Sequence, residues 1–276
     1  MNFGILIIGD EILSGRREDK HLAQVISVLG ARGLKLEYAH YVGDSPERIT
    51  AALKVAFASG DVVFSFGGIG ATPDDHTRQC AAAAWGRPLE LHAEARALIL
   101  ERMQDMARAQ GVEFDPERSD NKHRFNMGVF PRGAQIIPNP YNKIPGFRCV
   151  PSSDTATHNV PAVHFLPGFP VMAWPMLEWA LDTYYRDQFA LGSWQEHSVI
   201  VPGAMEATLT PLMERIEAQH AVKVFSLPSV DHPEHGRHIE LGVKGAPHDA
   251  EVAFADMLEA LKSFNLSLGP IMVRNQ

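Results

Sequence analysis

The sequence predicts an α/β protein with a three-layer αβα domain built on a mostly parallel sheet, followed by a small α+β domain. Over the first 90 residues, short apolar runs alternate with segments of helical periodicity, an order typical of βαβ units. Apolar residues form 45% and charged residues 21% of the 276 residues, as in folded globular proteins. We expect the first domain over 1–190, and a packing or oligomerisation module over 191–276.

The elements of the first domain follow from local patterns. Residues 3–8 form a continuous apolar run, typical of a strand covered on both faces. Apolar spacing predicts helices over 19–32 and 46–59, with strands over 34–42 and 61–66. Thr72 and Pro73 have the residue types of an N-cap and a first-turn proline, so a third helix is expected over 72–85.

The remaining segments are predicted in the same way. A helix is expected over 92–110, a polar loop over 111–124 and a long helix over 170–189, with short strands over 134–137, 147–150 and 162–166. The second domain is predicted as a strand (196–201), a helix (204–220), two strands (222–227 and 238–244) and a helix (247–264).

Charge and cysteine content restrict the function. Lys and Arg number 25 against 33 Asp and Glu, so the net charge is −8, which argues against a general binder of nucleic acid or of an anionic membrane. The apolar start is too short for a signal peptide, and no apolar run reaches 18 residues. With only two cysteines, a reducing compartment is expected. We therefore expect a cytoplasmic protein with a small-molecule partner.

The segment from Ser65 to Thr77, SFGGIGATPDDHT, is the strongest local motif. It follows a predicted strand, at the sheet edge where open parallel sheets bind ligands. Glycines let the backbone approach a ligand closely and direct N–H groups at an anion. The segment is neither a Walker A loop nor a dinucleotide fingerprint, because the residues that define those motifs are absent. The motif indicates a phosphate site at Gly67, Gly68, Ile69, Gly70, Ala71 and Thr72.

Acidic residues accompany this motif. Asp74 and Asp75 suit the first turn of a helix, where Thr72 and Asp75 can form a capping box. Beside a phosphate they would repel it unless a divalent cation lay between them, and Mg²⁺ binds through one or two carboxylates plus phosphates. Two further acidic turns end the first two strands, with Asp10 and Glu11 in one and Asp44 in the other. Parallel strands should gather these five carboxylates at one edge.

Three segments resemble the MoaB/Mog molybdopterin-binding domain family, and within it the amino-terminal part of CinA-type proteins. They are GDEILSG from Gly9, VGD from Val42 and GGIGATPDDHT from Gly67. Shorter similarities continue in PRGA, NP, PGF and LPGFP, between residues 131 and 170, and the remainder resembles the small KH-like domain of CinA-type proteins. The resemblance predicts no counterpart of the CinA amidase domain within these 276 residues.

The resemblance implies a site that binds molybdopterin or a nucleotide with a divalent metal. It places catalytic acids at Asp44 and Asp75 and a metal at Asp44, Asp74 and Asp75. The ligand-binding residues it implies, together with the motif, are Gly9, Asp10, Glu11, Ser14, Gly67, Gly68, Ile69, Gly70, Ala71, Thr72, Asn139, Pro145 and Gly146. Lys143 departs from the family pattern and is a candidate phosphate contact, with a solvent-exposed lysine as the alternative.

Three functions remain open from the sequence. The first is a metal-dependent pyrophosphatase acting on an ADP-ribose-type substrate. The second is an adenylyltransferase acting on molybdopterin. The third is a non-catalytic ligand-binding or sensor protein, favoured by departures from the family pattern at residues 20–21 and 141–144. A homo-oligomer is expected for each.

Overall fold

The computed structural model describes residues 1–116, 118–151 and 158–275. They divide into two compact units, one made of residues 1–29 and 35–188 and the other of residues 30–34 and 189–276. None of the helices in these described ranges is both long and apolar enough to cross a membrane.

The first unit alternates strands and helices as the sequence predicts. Its elements in chain order are β1 (Phe3–Ile8), α1 (Asp10–Leu13), α2 (His21–Gly30), β2 (Leu36–Val42), α3 (Pro46–Ala58), β3 (Val62–Phe66), α4 (Thr77–Trp85), β4 (Leu89–Leu91), α5 (Ala93–Gln110), α6 (Ser119–Arg124), a 3-10 turn (Phe125–Gly128), β5 (Val129–Pro131), β6 (Gln135–Ile137), β7 (Gly146–Cys149), β8 (Ala162–Leu166), α7 (Pro170–Tyr184) and a second 3-10 turn (Arg186–Gln188).

A six-stranded sheet in the order β2-β1-β3-β8-β7-β6 forms the middle of this unit. The first four strands are parallel, and β7 runs antiparallel to both β8 and β6. The prediction of an α/β fold with a mostly parallel sheet is therefore confirmed. Because β6 points the same way as β8, the loop from β6 to β7 emerges at the edge where β1, β2, β3 and β8 end.

Helices cover both faces of this sheet. Every residue of β1 and β3 is buried, as expected for strands that are apolar throughout except for Ser65 of β3. On one face, Leu53 of α3 and Ala81 of α4 share a core cluster with Leu6 of β1. On the other face, His21 of α2 stacks on Phe66 at a ring separation of 4.4 Å. The three-layer arrangement follows from these contacts.

Three local expectations were wrong. Helix α4 begins at Thr77 rather than at residue 72, for a reason given with the site below. The predicted loop over 111–124 contains α6, a polar helix without an apolar stripe. The short pair β4 and β5 was not predicted, because three residues are too few to show periodicity.

The second unit is a four-stranded antiparallel sheet with two helices. Its elements are β9 (Gln195–Pro202), α8 (Glu206–Gln219), β10 (Val222–His232), β11 (Gly236–Gly245), α9 (Pro247–Leu261), a 3-10 turn (Lys262–Phe264) and β12 (Ile271–Asn275), with strand order β10-β11-β9-β12. Apolar residues of α8 and α9 pack against those of the sheet in one core cluster. The strand β12 was not predicted: it pairs only with β9, and most of its five residues are exposed.

Candidate ligand-binding cleft

A cleft of about 420 Å³ opens at the carboxyl edge of the parallel strands. This is the edge where open α/β sheets bind ligands, because the loops that follow the strands leave a crevice there. Its walls come from the loops after β1, β2, β3, β6 and β8. The residues that line it are Ile8, Gly9, Glu11, Arg17, Asp44, Gly67, Gly68, Ile69, Gly70, Ala71, Thr72, Asp74, Asp75, Met127, Asn139, Asn142, Ile144, Pro145, Pro167, Gly168, Phe169 and Met172.

The segment from Gly67 to Thr72, which we call the glycine loop, packs closely against the rest of the protein. Two of its glycines leave no room for a side chain. A Cβ atom at Gly67 would collide with the carbonyl oxygen of Ile8, and one at Gly68 with the hydroxyl of Thr77. Both glycines also have positive φ, at 103° and 69°. The glycines therefore let the backbone itself form the wall of the cleft.

Arg78 fixes the orientation of this loop from behind. Its side chain is buried, and one guanidinium nitrogen donates to the carbonyl oxygens of both Ile69 and Gly70. Burial lowers the pKa of Arg78, with the charge of Asp75 acting in the opposite direction. A trans peptide points its N–H away from its C=O. The amides of Gly70 and Ala71 therefore point away from Arg78.

These amides are available to a ligand. No backbone hydrogen bond within the described ranges uses the N–H groups of Gly68, Ile69, Gly70 or Ala71 as donors. Consecutive unpaired N–H groups beside a cleft form an anion-binding nest. The glycine loop thus presents unpaired N–H donors where the sequence motif predicts a phosphate site, which stays a prediction.

The turn from Thr72 to Asp75 explains why α4 begins late. The carboxylate of Asp75 accepts hydrogen bonds from the backbone N–H of Thr72, at 2.8 Å, and from its hydroxyl. The N–H of Thr77 then donates to the carbonyl of Gly68 at 3.0 Å, which closes the loop before the helix starts. The unpaired amides therefore belong to the glycine loop and not to a helix start at Thr72.

Asp44 and Asp10 join the ends of β1 and β2. The N–H of Asp10 donates to Asp44 Oδ2 at 2.9 Å, and the N–H of Asp44 donates to Asp10 Oδ1 at 3.2 Å. Burial raises the pKa of Asp44, and although the Asp10 amide opposes this, the charges of Asp10, Glu11 and Asp74 raise it further. This exchange leaves Asp44 on the wall of the cleft and Asp10 outside it.

The carboxylates fit a cation that takes part of its shell from the ligand. Within the described ranges, no three or more His, Cys, Asp or Glu side chains form a group able to hold a metal ion. The predicted set of Asp44, Asp74 and Asp75 is therefore not a ready-made metal centre, and Asp75 already accepts two hydrogen bonds from Thr72. Burial is the main cause of the raised pKa of Asp44, and the neighbouring carboxylates add to it. Mg²⁺ needs only one or two carboxylates plus phosphate oxygens.

Four predicted ligand-binding residues do not line the cleft: Asp10, Ser14, Lys143 and Gly146. The amine of Lys143 lies 2.6 Å from both Glu101 and Asp105 of α5, so it neutralises that helix instead of reaching a phosphate. Ser14 donates to the carbonyl of Glu11. Gly146 starts β7 in the core, where a side chain would meet the carbonyl of Phe165. The other predicted residues line the cleft.

Asn139 shapes the loop between β6 and β7. Its amide nitrogen donates to Asn142 Oδ1 at 2.8 Å and to the carbonyl of Ile144 at 2.9 Å, and its oxygen accepts from the N–H of Tyr141 at 3.0 Å. The residue is buried. Asn139 therefore holds Asn142, Ile144 and Pro145 in place along the cleft.

Several lining residues were not predicted from the sequence. Arg17 is a cation at the cleft, 3.8 Å from Glu11 and 5.7 Å from the ring of Phe169. Phe169, Met127 and Met172 form an apolar side. The motif around Phe169 was noted only as part of the resemblance, and nothing in the spacing of Arg17 or Met127 indicates that they reach the same place.

Comparison with known proteins assigns the family. The family model described as "Probable molybdopterin binding domain" matches residues 4–186, so the chain belongs to the molybdopterin-binding domain family. It is similar to a CinA-like protein of Citrifermentans bemidjiense, with 32% identity over 215 residues that cover 78% of this chain and 47% of that protein. A CinA-like protein of Mycobacterium marinum is 34% identical over 232 residues, covering 82% of this chain and 46% of that protein.

A solved structure shows the same relationship. The crystal structure of the protein CinA from Thermoplasma acidophilum is 27% identical, covers 66% of this chain and 97% of that chain, and superposes with a TM-score of 0.53. The resemblance to the MoaB/Mog family and to CinA-type proteins is therefore confirmed. The chain spans about half the length of the two curated relatives.

Proposed function

We propose that the cleft binds a nucleotide through its phosphoanhydride, together with a divalent cation, and that it hydrolyses substrates of the ADP-ribose type. One observation supports this proposal above the others. The unpaired amides of the glycine loop and the carboxylates of Asp44, Asp74 and Asp75 line the same 420 Å³ cleft. A site with amides for phosphate oxygens beside carboxylates for a cation suits a metal-complexed pyrophosphate.

Each wall has a role in this proposal. The amides of Gly70 and Ala71 bind phosphate oxygens, and Arg17 adds a positive charge at the same cleft. Phe169 and Met172 offer an apolar surface to a flat ring. Family membership supports a pterin or a nucleotide as the ligand that carries this ring.

Asp44 and Asp74 are the residues that would hold the cation, because Asp75 accepts two hydrogen bonds from Thr72, whereas Asp74 is exposed and forms one side-chain hydrogen bond, to Thr72. Once bound, a divalent cation neutralises charge on the phosphates and lowers the pKa of water that it binds. Asp75 acts from this position by keeping Thr72, and with it the end of the glycine loop, in place.

The test is a product assay. Purified protein is incubated with ADP-ribose and Mg²⁺, Mn²⁺ or Co²⁺, and AMP is followed by chromatography. We expect AMP formation that needs the cation and falls at least about 100-fold in Asp44→Asn, since one lost charge contact in a transition state typically costs that much. Asp231→Asn, an exposed aspartate of β10, is the matched control and should retain full activity.

The same preparation separates the alternatives. Transfer of AMP from ATP to molybdopterin, without hydrolysis of ADP-ribose, would replace the proposal with an adenylyltransferase. Tight binding of ADP-ribose with no turnover under any of the three cations would leave a sensor function. Failure of ADP-ribose and ADP to bind at all would overturn nucleotide binding itself.

A further inference from the structure

A second cavity adjoins the cleft at the loop between β6 and β7. Met127, Asn142 and Ile144 line both the cleft and this second cavity of about 220 Å³, which we call the methionine recess. Its remaining walls are Ile99, Arg102, Met103 and Met106 of α5 and Arg124 at the end of α6. Because three lining residues are shared, the recess adjoins the cleft at Met127, Asn142 and Ile144.

The recess has an apolar lining with cations among it. Met103 is buried and Met106 half-buried, and methionine thioethers adapt to the shape of a flat group. A guanidinium nitrogen of Arg124 lies 3.7 Å from the sulfur of Met106, so the charge and the thioether share one wall. Among the described residues, the charged side chains that line the recess are Arg102 and Arg124, both positive.

The charge of the main cleft is the opposite. Its charged lining residues are Glu11, Asp44, Asp74 and Asp75, against a single arginine, Arg17. Two carboxylates of α5 also lie close in sequence to the recess, Glu101 and Asp105, but neither lines it, and Lys143 holds both at 2.6 Å. The charged lining residues of the recess and of the adjoining cleft therefore differ in sign.

We propose that the methionine recess binds a second group of the ligand, beyond its phosphates, and selects groups that are apolar in the middle and negatively charged at the far end. A cation-complexed pyrophosphate would lie at the acidic end, and a carboxylate or phosphate would pair with Arg102 and Arg124. This inference rests on the proposed function and adds the class of ligand: a nucleotide conjugate with a terminal anion.

Two probes of equal size test the terminal charge. NAD⁺ and its nicotinic acid analogue differ only in a carboxamide against a carboxylate at the far ring. Dissociation constants for both, and for ADP, are measured by titration calorimetry with Mg²⁺, and chromatography afterwards confirms that the dinucleotides are intact. We expect the carboxylate form to bind about tenfold more tightly, since charge-assisted hydrogen bonds are about twice as strong as neutral ones.

The variants assign that preference to the recess. In Arg102→Gln/Arg124→Gln the preference should fall below about twofold, while ADP, which ends at the phosphates, keeps its affinity. Arg96→Gln, on the same helix but stacked over Phe125 outside the recess, should retain the preference. Unchanged ADP binding shows that the variants are folded.

Each result decides between two conclusions. Equal binding of the two dinucleotides, or a preference that survives the double substitution, overturns the role of the recess while ADP binding leaves the proposed function standing. Absence of ADP binding overturns the proposed function and this inference together.

Discussion

Replacing Arg78 with methionine tests whether a buried cation holds the glycine loop. Arg78→Met keeps most of the side-chain length but removes the donor to the carbonyls of Ile69 and Gly70. A hydrogen bond to a charged group contributes about 1.5–3 kcal/mol. Gly70 is partly exposed and its carbonyl can turn to water, and burying the guanidinium itself has a cost, so we expect a net loss of about 2–4 kcal/mol in the free energy of unfolding.

The assay is urea denaturation of wild type, Arg78→Met, Arg78→Lys and Arg87→Met. Arg87 is exposed and lies 5.4 Å from the ring of Trp85, so the same substitution there should cost only about 0.5–1 kcal/mol. Lysine at residue 78 has one ammonium in place of the planar fork and should fall between wild type and Arg78→Met. Calorimetry with ADP should show weaker binding in the same order, because the amides of Gly70 and Ala71 lose their fixed direction. Equal stability of Arg78→Met and Arg87→Met, with equal ADP affinity, would refute the reasoning.

Three further predictions follow from buried or crowded ionisable groups. Asp44→Asn should raise the free energy of unfolding at pH 7 by up to about 1 kcal/mol; because the pKa of Asp44 is raised in the folded state, the gain should shrink as the pH falls through that pKa, and a constant gain in pH-dependent denaturation would contradict this. Burial, with the charge of Arg148, lowers the pKa of His164 well below 6.5, so stability should fall as the pH drops below 6.5. This residue can account for at most about 1.4 kcal/mol per pH unit, and His164→Gln should give a shallower slope between pH 7 and 5. Burial raises the pKa of the Cys80 and Cys149 thiols, so a thiol reagent should label neither cysteine in the native protein and both in denaturant, and rapid native labelling would contradict their burial.

The core strands were predictable because their signal is local. Residues 3–8 are an uninterrupted apolar run and residues 162–166 are apolar except for His164, and the structure begins and ends β1 and β8 at those residues. The shared edge was also predictable, since parallel strands necessarily bring their carboxyl ends together. That rule needs no knowledge of the side chains between them, and it placed the turns of Glu11 and Asp44 at one edge of the sheet.

The predicted start of α4 rested on an interaction between Thr72 and Asp75. That interaction forms in the structure, but it stabilises a turn before the helix and not the first turn of the helix. Thr72 and Asp75 do bond as half of a capping box, with the carboxylate accepting from the Thr72 amide. The same local pattern also fits a turn. The turn forms because Arg78 binds the carbonyls of Ile69 and Gly70, and the N–H of Thr77 binds the carbonyl of Gly68, so the loop closes before the helix begins. Sequence spacing does not show which carbonyl a distant guanidinium will reach.

Lys143 illustrates the other limit of the sequence. Beside a phosphate motif, a lysine suggests an anion contact, yet its partners are Glu101 and Asp105, 42 and 38 residues away. Long-range pairs of this kind depend on how α5 packs. The same packing brings Arg102 of α5 to the cavity that Met127 and Asn142 also line.

The placement of β6 and β7 at the end of the sheet has an evolutionary consequence. Their connecting loop reaches the cleft, but among the described strands β6 pairs with β7 alone, and Asn139 closes the loop through bonds to its own residues. Tyr141, at the tip, is exposed. Insertions or exchanges between residues 138 and 145 can therefore alter what the cleft accepts without rethreading the chain through the core. The glycine loop has no such freedom, because it follows β3, which lies between β1 and β8, and a Cβ atom at Gly67 or Gly68 would collide with its neighbours. Changes in ligand preference are therefore expected at the hairpin loop rather than at the glycine loop.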